Sequence, residues 1–242
     1  MPLSYIKHHE GHMVVLTVKH HGTIPSSDSK IVATMSSNQF QGKIIAITGA
    51  AQGIGLATAT VLAERGASLS LADVQAAALA AAKESILSKT RSAEILTCVV
   101  DVRNADQVSC WVSETVSHCG RLDGAANIAG VVPKSIASDA GLVENIDFGE
   151  WEFCMAVNMT GVMHCMKYQL AVMREGSSMV NASSIAGLIG REKNGIYTAS
   201  KHAVTGLSRS AAKEVGRRGV RVNCICPYVM LDLEPQVYQS RG

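Results

Sequence analysis

Tyr197 stands four residues before Lys201 in the stretch GIYTASKHAV. Residues four apart share one face of a helix, close enough for a phenol and an ammonium to interact. A free tyrosine has a pKa of about 10 and is a poor base at neutral pH, and a neighbouring cation favours its phenolate. The pair is therefore a candidate proton-transfer centre, although a tyrosine and a lysine one turn apart also arise by chance in many helices. A second stretch, TGAAQGIG from Thr48 to Gly55, has the glycine spacing of a phosphate-binding turn. Gly49 allows a sharp turn, and Gly53 and Gly55 let backbone approach a ligand closely. A helix that starts there offers free N–H groups and a positive dipole end to a diphosphate. Gly49, Gln52, Gly53, Ile54 and Gly55 are thus the expected diphosphate contacts.

Asp73 follows Gly55 by 18 residues. A carboxylate there accepts hydrogen bonds from an adenosine ribose diol and repels a 2′-phosphate. No arginine or lysine adjoins it in sequence, and Gln52 is uncharged, which points to NAD(H) over NADP(H). The competing reading is that Asp73 merely caps the helix that follows. Asp101 and Val102 end the next apolar run and are expected near the adenine.

These residues need elements to hold them. From Lys43 onward, short apolar runs alternate with helical patterns. The runs are KIIAIT, SLSLAD, EILTCVVD, DGAANIAG, SSMVNASS and VRVNCIC. Between them lie IGLATATVLAERG, an alanine-rich helix over 75–89, and NADQVSCWVSETVSHCG with Asn104 as its cap. A loop over 131–146 precedes one long helical stretch over 147–174, and the helix of Tyr197 and Lys201 follows the fifth run. Continuous apolar strands in this order predict a parallel sheet covered by helices on both faces. Right-handed crossovers make it a doubly wound, Rossmann-like α/β fold in one domain.

Composition narrows the classes of partner. The chain has 242 residues, 47% hydrophobic and 17% charged, enough for one large globular domain. A net charge of +2 is too small for a nucleic-acid partner, and no apolar run approaches a membrane span. Seven cysteines, irregularly spaced and without a C-x-x-C pair, read as reduced thiols in a cytoplasmic protein. Five of the eight histidines fall within the first 21 residues, with no cysteine or carboxylate framework, so no metal is expected. Residues 1–41 read as an irregular extension, and Met35 would itself make a sensible start. The domain is expected over 42–242, with a small molecule as its partner.

Three motifs now stand in order: TGAAQGIG, NIAG from Asn127 to Gly130, and YTASK. Together they resemble the classical short-chain dehydrogenase/reductase family, from about Gln41 to Pro227. NASS and VNMTG strengthen the resemblance. It implies a catalytic tetrad of Asn158, Ser184, Tyr197 and Lys201. Ser184 precedes Tyr197 by thirteen residues, whereas Ser183, the neighbouring alternative, is one residue too far. In the implied scheme Tyr197 exchanges a proton with the substrate oxygen, and Ser184 stabilises the charge developing there. Lys201 lowers the tyrosine pKa and holds the nicotinamide ribose. Asn158 holds a water that links Lys201 to solvent. Asn127, Ala129, Gly130 and Pro227 join the implied cofactor contacts, as do Tyr197 and Lys201.

The resemblance further implies a homodimer or homotetramer built on the helices near 147–174 and 195–217. It implies an NAD(H)-dependent oxidoreductase that interconverts a secondary alcohol and a ketone on a small, largely apolar substrate. Val131, Val132, Ile185, Leu188 and Ile189 are candidates for its pocket wall. The chain also departs from the pattern. Ile128 replaces a second asparagine, Tyr228 replaces a glycine, no threonine follows, and the sequence ends fifteen residues after Pro227. The family's last strand and substrate lid are therefore expected to be missing. Three explanations compete: a complete chain with a shorter, open site, a truncated or mis-spliced product, or a protein that binds NAD without redox turnover. A non-redox member, isomerase-like or an NAD-binding partner protein, is the alternative function.

Overall fold

All six apolar runs form strands: β1 (Ile44–Thr48), β2 (Ser68–Asp73), β3 (Ile95–Val99), β4 (Gly124–Asn127), β5 (Ser178–Ala182) and β6 (Arg221–Ile225). The computed structural model describes residues 38–90 and 93–227. The histidine-rich N-terminal stretch, Tyr228 and the expected loss of a last strand lie outside the described residues. Every strand pairing is parallel, and the sheet order is β3-β2-β1-β4-β5-β6. The helices are α1 (Gly53–Glu64), α2 (Ala76–Lys89), α3 (Ala105–Cys119), α4 (Phe148–Met155), α5 (Gly161–Val172) and α6 (Gly195–Val215).

Strand β1 is buried along its whole length, as a central parallel strand covered on both faces must be. Its residues alternate between two cores. Ile45 and Ile47 pack with Leu69, Leu71, Leu79 and Ile86 on one face. Ala46 belongs to the other core, with Val108, Trp111, Met179 and Val204. This period of two is what splits one apolar run between two helical layers. The chain order reverses between β1 and β4, which are neighbours through Thr48 and Asn127. A crevice opens at such a switch point, beyond the carboxyl ends of the strands.

Asn104 caps α3 as expected, its Oδ1 accepting from Asp106 N at 3.0 Å and Gln107 N at 3.1 Å. Asn104→Ala is expected to lower stability by about 1 kcal/mol, read as a shift of the urea midpoint at unchanged slope. The helical stretch expected over 147–174 is one continuous run, α4 and α5, with a π-helical turn between them at Ala156–Thr160. Such turns insert an extra residue into the helical ladder and occur often at functional sites. This one carries Asn158.

Candidate active site

The glycine turn sits between β1 and α1 at the switch point. Thr48 Oγ1 accepts from Ile128 N at 3.1 Å and Ala129 N at 3.2 Å, joining the ends of β1 and β4. Gly49 has φ +68°, and a Cβ there would lie 2.8 Å from Ala129 N. A Cβ on Gly55 would run into the Gly49 carbonyl, 2.7 Å from its carbon. Gly55 is therefore required by the turn's own packing, not by the close approach of a ligand that the sequence suggested. Gln52 makes no side-chain cap bond to α1, and no acidic residue stands in the first turn. The helix N–H groups and positive dipole end are left for an anion, so the turn fits a diphosphate.

A cleft of about 400 Å³ opens in front of this turn. Gly49, Gln52, Ile54 and Gly55 line one wall, and Ala129, Gly130 and Val131 line another. Asp73, Asp101 and Val102 line the far end. Asp73 is only 8% exposed. Its Oδ2 accepts from Ala51 N and its Oδ1 from Gln75 N, each at 3.0 Å. The carboxylate thus clips the glycine turn to the entry of α2. A carboxylate has about four acceptor positions, so two remain for a diol.

The Asp101 carboxylate is engaged by Arg103, whose Nε donates to both oxygens at 2.9 Å. Hydrogen bonding from Arg103 holds its carboxyl below the usual range, against a smaller opposing effect of burial. The guanidinium also lies over the Phe153 ring, 5.2 Å from its centre. Asn127 does not line the cleft. Its side chain exchanges hydrogen bonds with Gln169 at 3.0 Å and donates to Asn181 Oδ1 at 2.8 Å, tying β4 to α5 and β5. Pro227 is absent from the cleft wall too; its carbonyl accepts from Ile185 N. Val131, one of the five residues expected along the substrate pocket, also lines this cleft.

Asn158 and Lys201 converge beside Gly130, and Tyr197 adjoins both Lys201 and Ser184. A Cβ on Gly130 would lie 3.2 Å from Asn158 Oδ1 and 3.5 Å from Lys201 Nζ. Asn158 is fully buried. Its Oδ1 accepts from Val131 N at 2.7 Å, and its Nδ2 donates to Val131 O at 2.9 Å and Ser200 Oγ at 3.1 Å. Lys201 Nζ donates to Ala182 O at 2.8 Å and lies 5.5 Å from the centre of the Tyr197 ring. Ser184 opens a short 3-10 turn, with Oγ accepting from Ala186 N, and its side chain also hydrogen-bonds Tyr197. Ser183 Oγ instead bonds to Lys201 O at 3.1 Å and Thr205 Oγ1 at 2.8 Å, behind the site. The hydroxyl beside the phenol is therefore that of Ser184.

Electrostatics add a feature that the spacing did not reveal. Burial pushes the Tyr197 phenol above its ordinary value, and the Ser184 hydrogen bond offsets only part of this. Burial also depresses Lys201 to about 8. The expectation that the ammonium pulls the phenol down is thus reversed in net direction by desolvation.

Comparison with known proteins decides the lineage of this site. Residues 49–238 match a family model described as enoyl-(acyl carrier protein) reductase. The short-chain dehydrogenase/reductase aba4 of Botryotinia fuckeliana (strain B05.10) is 51% identical over 193 residues, covering 80% of this chain and 74% of that protein. The chain belongs to the short-chain dehydrogenase/reductase family. A levodione reductase of Leifsonia aquatica is 39% identical over 200 residues, covering 81% of this chain and 73% of its own. The crystal structure of an NAD+-bound xylitol dehydrogenase superposes with a TM-score of 0.71 at 30% identity, over 77% of this chain and 70% of that one. As a short-chain dehydrogenase/reductase among such relatives, the protein is an oxidoreductase.

Sequence reasoning missed three neighbours of this family site. Arg103 reaches the cleft that holds Asp73, although thirty residues separate them. Ser200 takes a hydrogen bond from Asn158 and donates one to Tyr197 O at 2.8 Å, coupling two tetrad members. Cys154 Sγ accepts from Asn158 Nδ2 at 3.3 Å. Only Ser200, inside YTASK, carried a signal in sequence.

Proposed function

We propose that this protein interconverts a secondary alcohol and a ketone with NAD(H), on a small, largely apolar substrate, with Tyr197 as general acid and base. The observation that carries the reading is that Asn158 and Lys201 meet beside Gly130 of the cleft wall, with the Tyr197 ring 5.5 Å from Lys201 Nζ and Ser184 beside the phenol. A nicotinamide dinucleotide, when bound, supplies or accepts the hydride. Gly49, Gln52 and Ile54 would hold its diphosphate, and Asp73 its ribose diol. Ser184 would hydrogen-bond the substrate oxygen and stabilise the charge that develops on it. Burial keeps the Tyr197 phenol protonated near neutral pH, which suits giving a proton to a ketone oxygen. Lys201, charged below about pH 8, adds positive potential at the same place.

The preference for NAD(H) rests on charge. Asp73 repels a 2′-phosphate, and Arg103, the one arginine on the cleft wall among the described residues, is neutralised by Asp101. An NAD+-bound xylitol dehydrogenase among the structural neighbours supports the same choice. The names levodione reductase and xylitol dehydrogenase support carbonyl and alcohol chemistry.

Calorimetric titration with NADH and NADPH, followed by alcohol-dependent NADH formation read as absorbance, tests the proposal. NADH is expected to bind more tightly than NADPH. Asp73→Ala should weaken NADH by about ten- to a hundredfold, the worth of a hydrogen bond to a charged group, and narrow the preference. Equal binding of both nucleotides by the unsubstituted protein would remove the role given to Asp73.

A further inference from the structure

Asp73 and Asp101 both line the cleft, and the fold uses them unequally. An ionised carboxylate has about four acceptor positions. Asp73 fills two of them, with Ala51 N and Gln75 N. Asp101 fills all four, and every donor comes from Arg103. Its Oδ1 accepts from Arg103 N and Arg103 Nε, each at 2.9 Å. Its Oδ2 accepts from Nε at 2.9 Å and from Nη2 at 2.5 Å. The backbone donor of Asp101 is engaged as well, since its N–H donates to Gln107 Oε1 at 2.8 Å.

Arg103 is fixed in this position from three sides. Its backbone N–H closes a short turn onto the carboxylate, and its side chain forms a fork across both oxygens. Its guanidinium also lies over the Phe153 ring, and Phe153 lines the same cleft. An incoming neutral N–H would have to displace charge-assisted bonds, which are about twice as strong as the one it offers. With a diphosphate on the glycine turn and a ribose diol at Asp73, a base would fall beyond Asp73, against Asp101, Val102 and Arg103. The exocyclic amino group is the donor that an adenine base presents, and a free carboxylate would accept from it.

We propose that Arg103 sets base recognition in this protein: by occupying Asp101 it leaves the amino group of the nucleotide base without an acceptor there. The inference rests on the reading of the cleft as the site of NAD(H). Arg103 acts through Asp101 and is thus a positioning residue. The base is held through its faces, by Val74, Val102 and the guanidinium plane on the cleft wall. Such contacts are indifferent to the amino group, so the cleft accepts purine dinucleotides that lack it.

Calorimetric titration compares NADH with reduced nicotinamide purine dinucleotide, in which hydrogen replaces the amino group and every ring nitrogen is kept. The unsubstituted protein is expected to bind the two within about threefold of each other. A hydrogen bond from the amino group to a free carboxylate would separate them by about ten- to a hundredfold. Arg103→Ala removes the fork from Asp101 and should open a preference for NADH of about tenfold or more. The Arg103 side chain is 44% exposed, so its removal disturbs little packing, and a damaged fold would weaken both ligands together without creating that preference. Adding Asp101→Ala to Arg103→Ala should erase it again. A preference above threefold in the unsubstituted protein overturns the inference, as does an Arg103→Ala protein with no new preference, or a preference that survives the loss of Asp101. In each of these cases NADH still binds and the proposed function stands. Binding of neither dinucleotide by the unsubstituted protein overturns both.

Discussion

Tyr197→Phe is expected to reduce turnover by about 10²- to 10⁴-fold, the usual contribution of a placed general acid or base. NADH binding should suffer far less, because the diphosphate turn and Asp73 are untouched. The substitution removes one oxygen and keeps the ring, so the packing of Lys201 over that ring survives. The pH profile separates this role from a structural one. Below about pH 8 Lys201 is charged, and the phenol, raised by burial, is protonated. Ketone reduction is expected to hold steady there and to fall as pH rises through about 8, where the ammonium is lost while the phenol remains protonated. Stability moves the other way. Between about 8 and the ordinary lysine value of 10.5, the unfolded chain binds a proton that the native chain does not. The native state therefore gains stability as pH rises through that window, as the cost of burying the charge is relieved. Turnover by the variant close to that of the parent, at any pH, would end the acid–base assignment.

How much of this could be read from the sequence depends on how local each cause is. The strands were legible because β1 carries five buried residues in a row, and only a covered parallel strand needs that. The α3 cap was legible because Asn104 and the N–H groups it accepts from lie within three residues. Tyr197 and Lys201 were legible because helix geometry fixes residues four apart. The π-helical turn at Ala156–Thr160 was not, since AVNMT has no breaker and reads as ordinary helix. Its consequence is that Asn158 turns inward to grip both backbone groups of Val131. Arg103 came to the cleft through the fold, from a position that no spacing rule connects to Asp73. Asn127 was assigned to the cofactor by its motif, but its side chain enters the buried amide network with Gln169 and Asn181. The direction of the Tyr197 shift depends on how much of the ring is covered, which a sequence does not state.

Gly55→Ala is expected to abolish measurable NADH binding and to destabilise the protein by about 1–3 kcal/mol or more, the range for overfilling a packed site. The added Cβ would meet only backbone: the Gly49 carbonyl, its carbon at 2.7 Å, and Ala50 Cα at 3.2 Å. No side chain can rotate away, so the turn itself has to open. Opening it pulls Ala50 N from Ala72 O and Ala51 N from Asp73, the bonds that fix the turn against β2. Gly49 cannot yield, because its own space is closed by Ala129, just past the end of β4. The rest of α1 stays anchored through Ala59 and Ala63, so the fold survives at reduced stability while the anion site is lost. Gly53 is the internal control. A Cβ there meets nothing within 4 Å, and its φ of +55° is the sole obstacle. Gly53→Ala should therefore cost only the left-handed backbone penalty of about 1–2 kcal/mol and weaken NADH less. Paired urea denaturation and NADH titration of the two variants distinguish the cases. If Gly55→Ala bound NADH as the parent does, the diphosphate would have to be held elsewhere than in this turn.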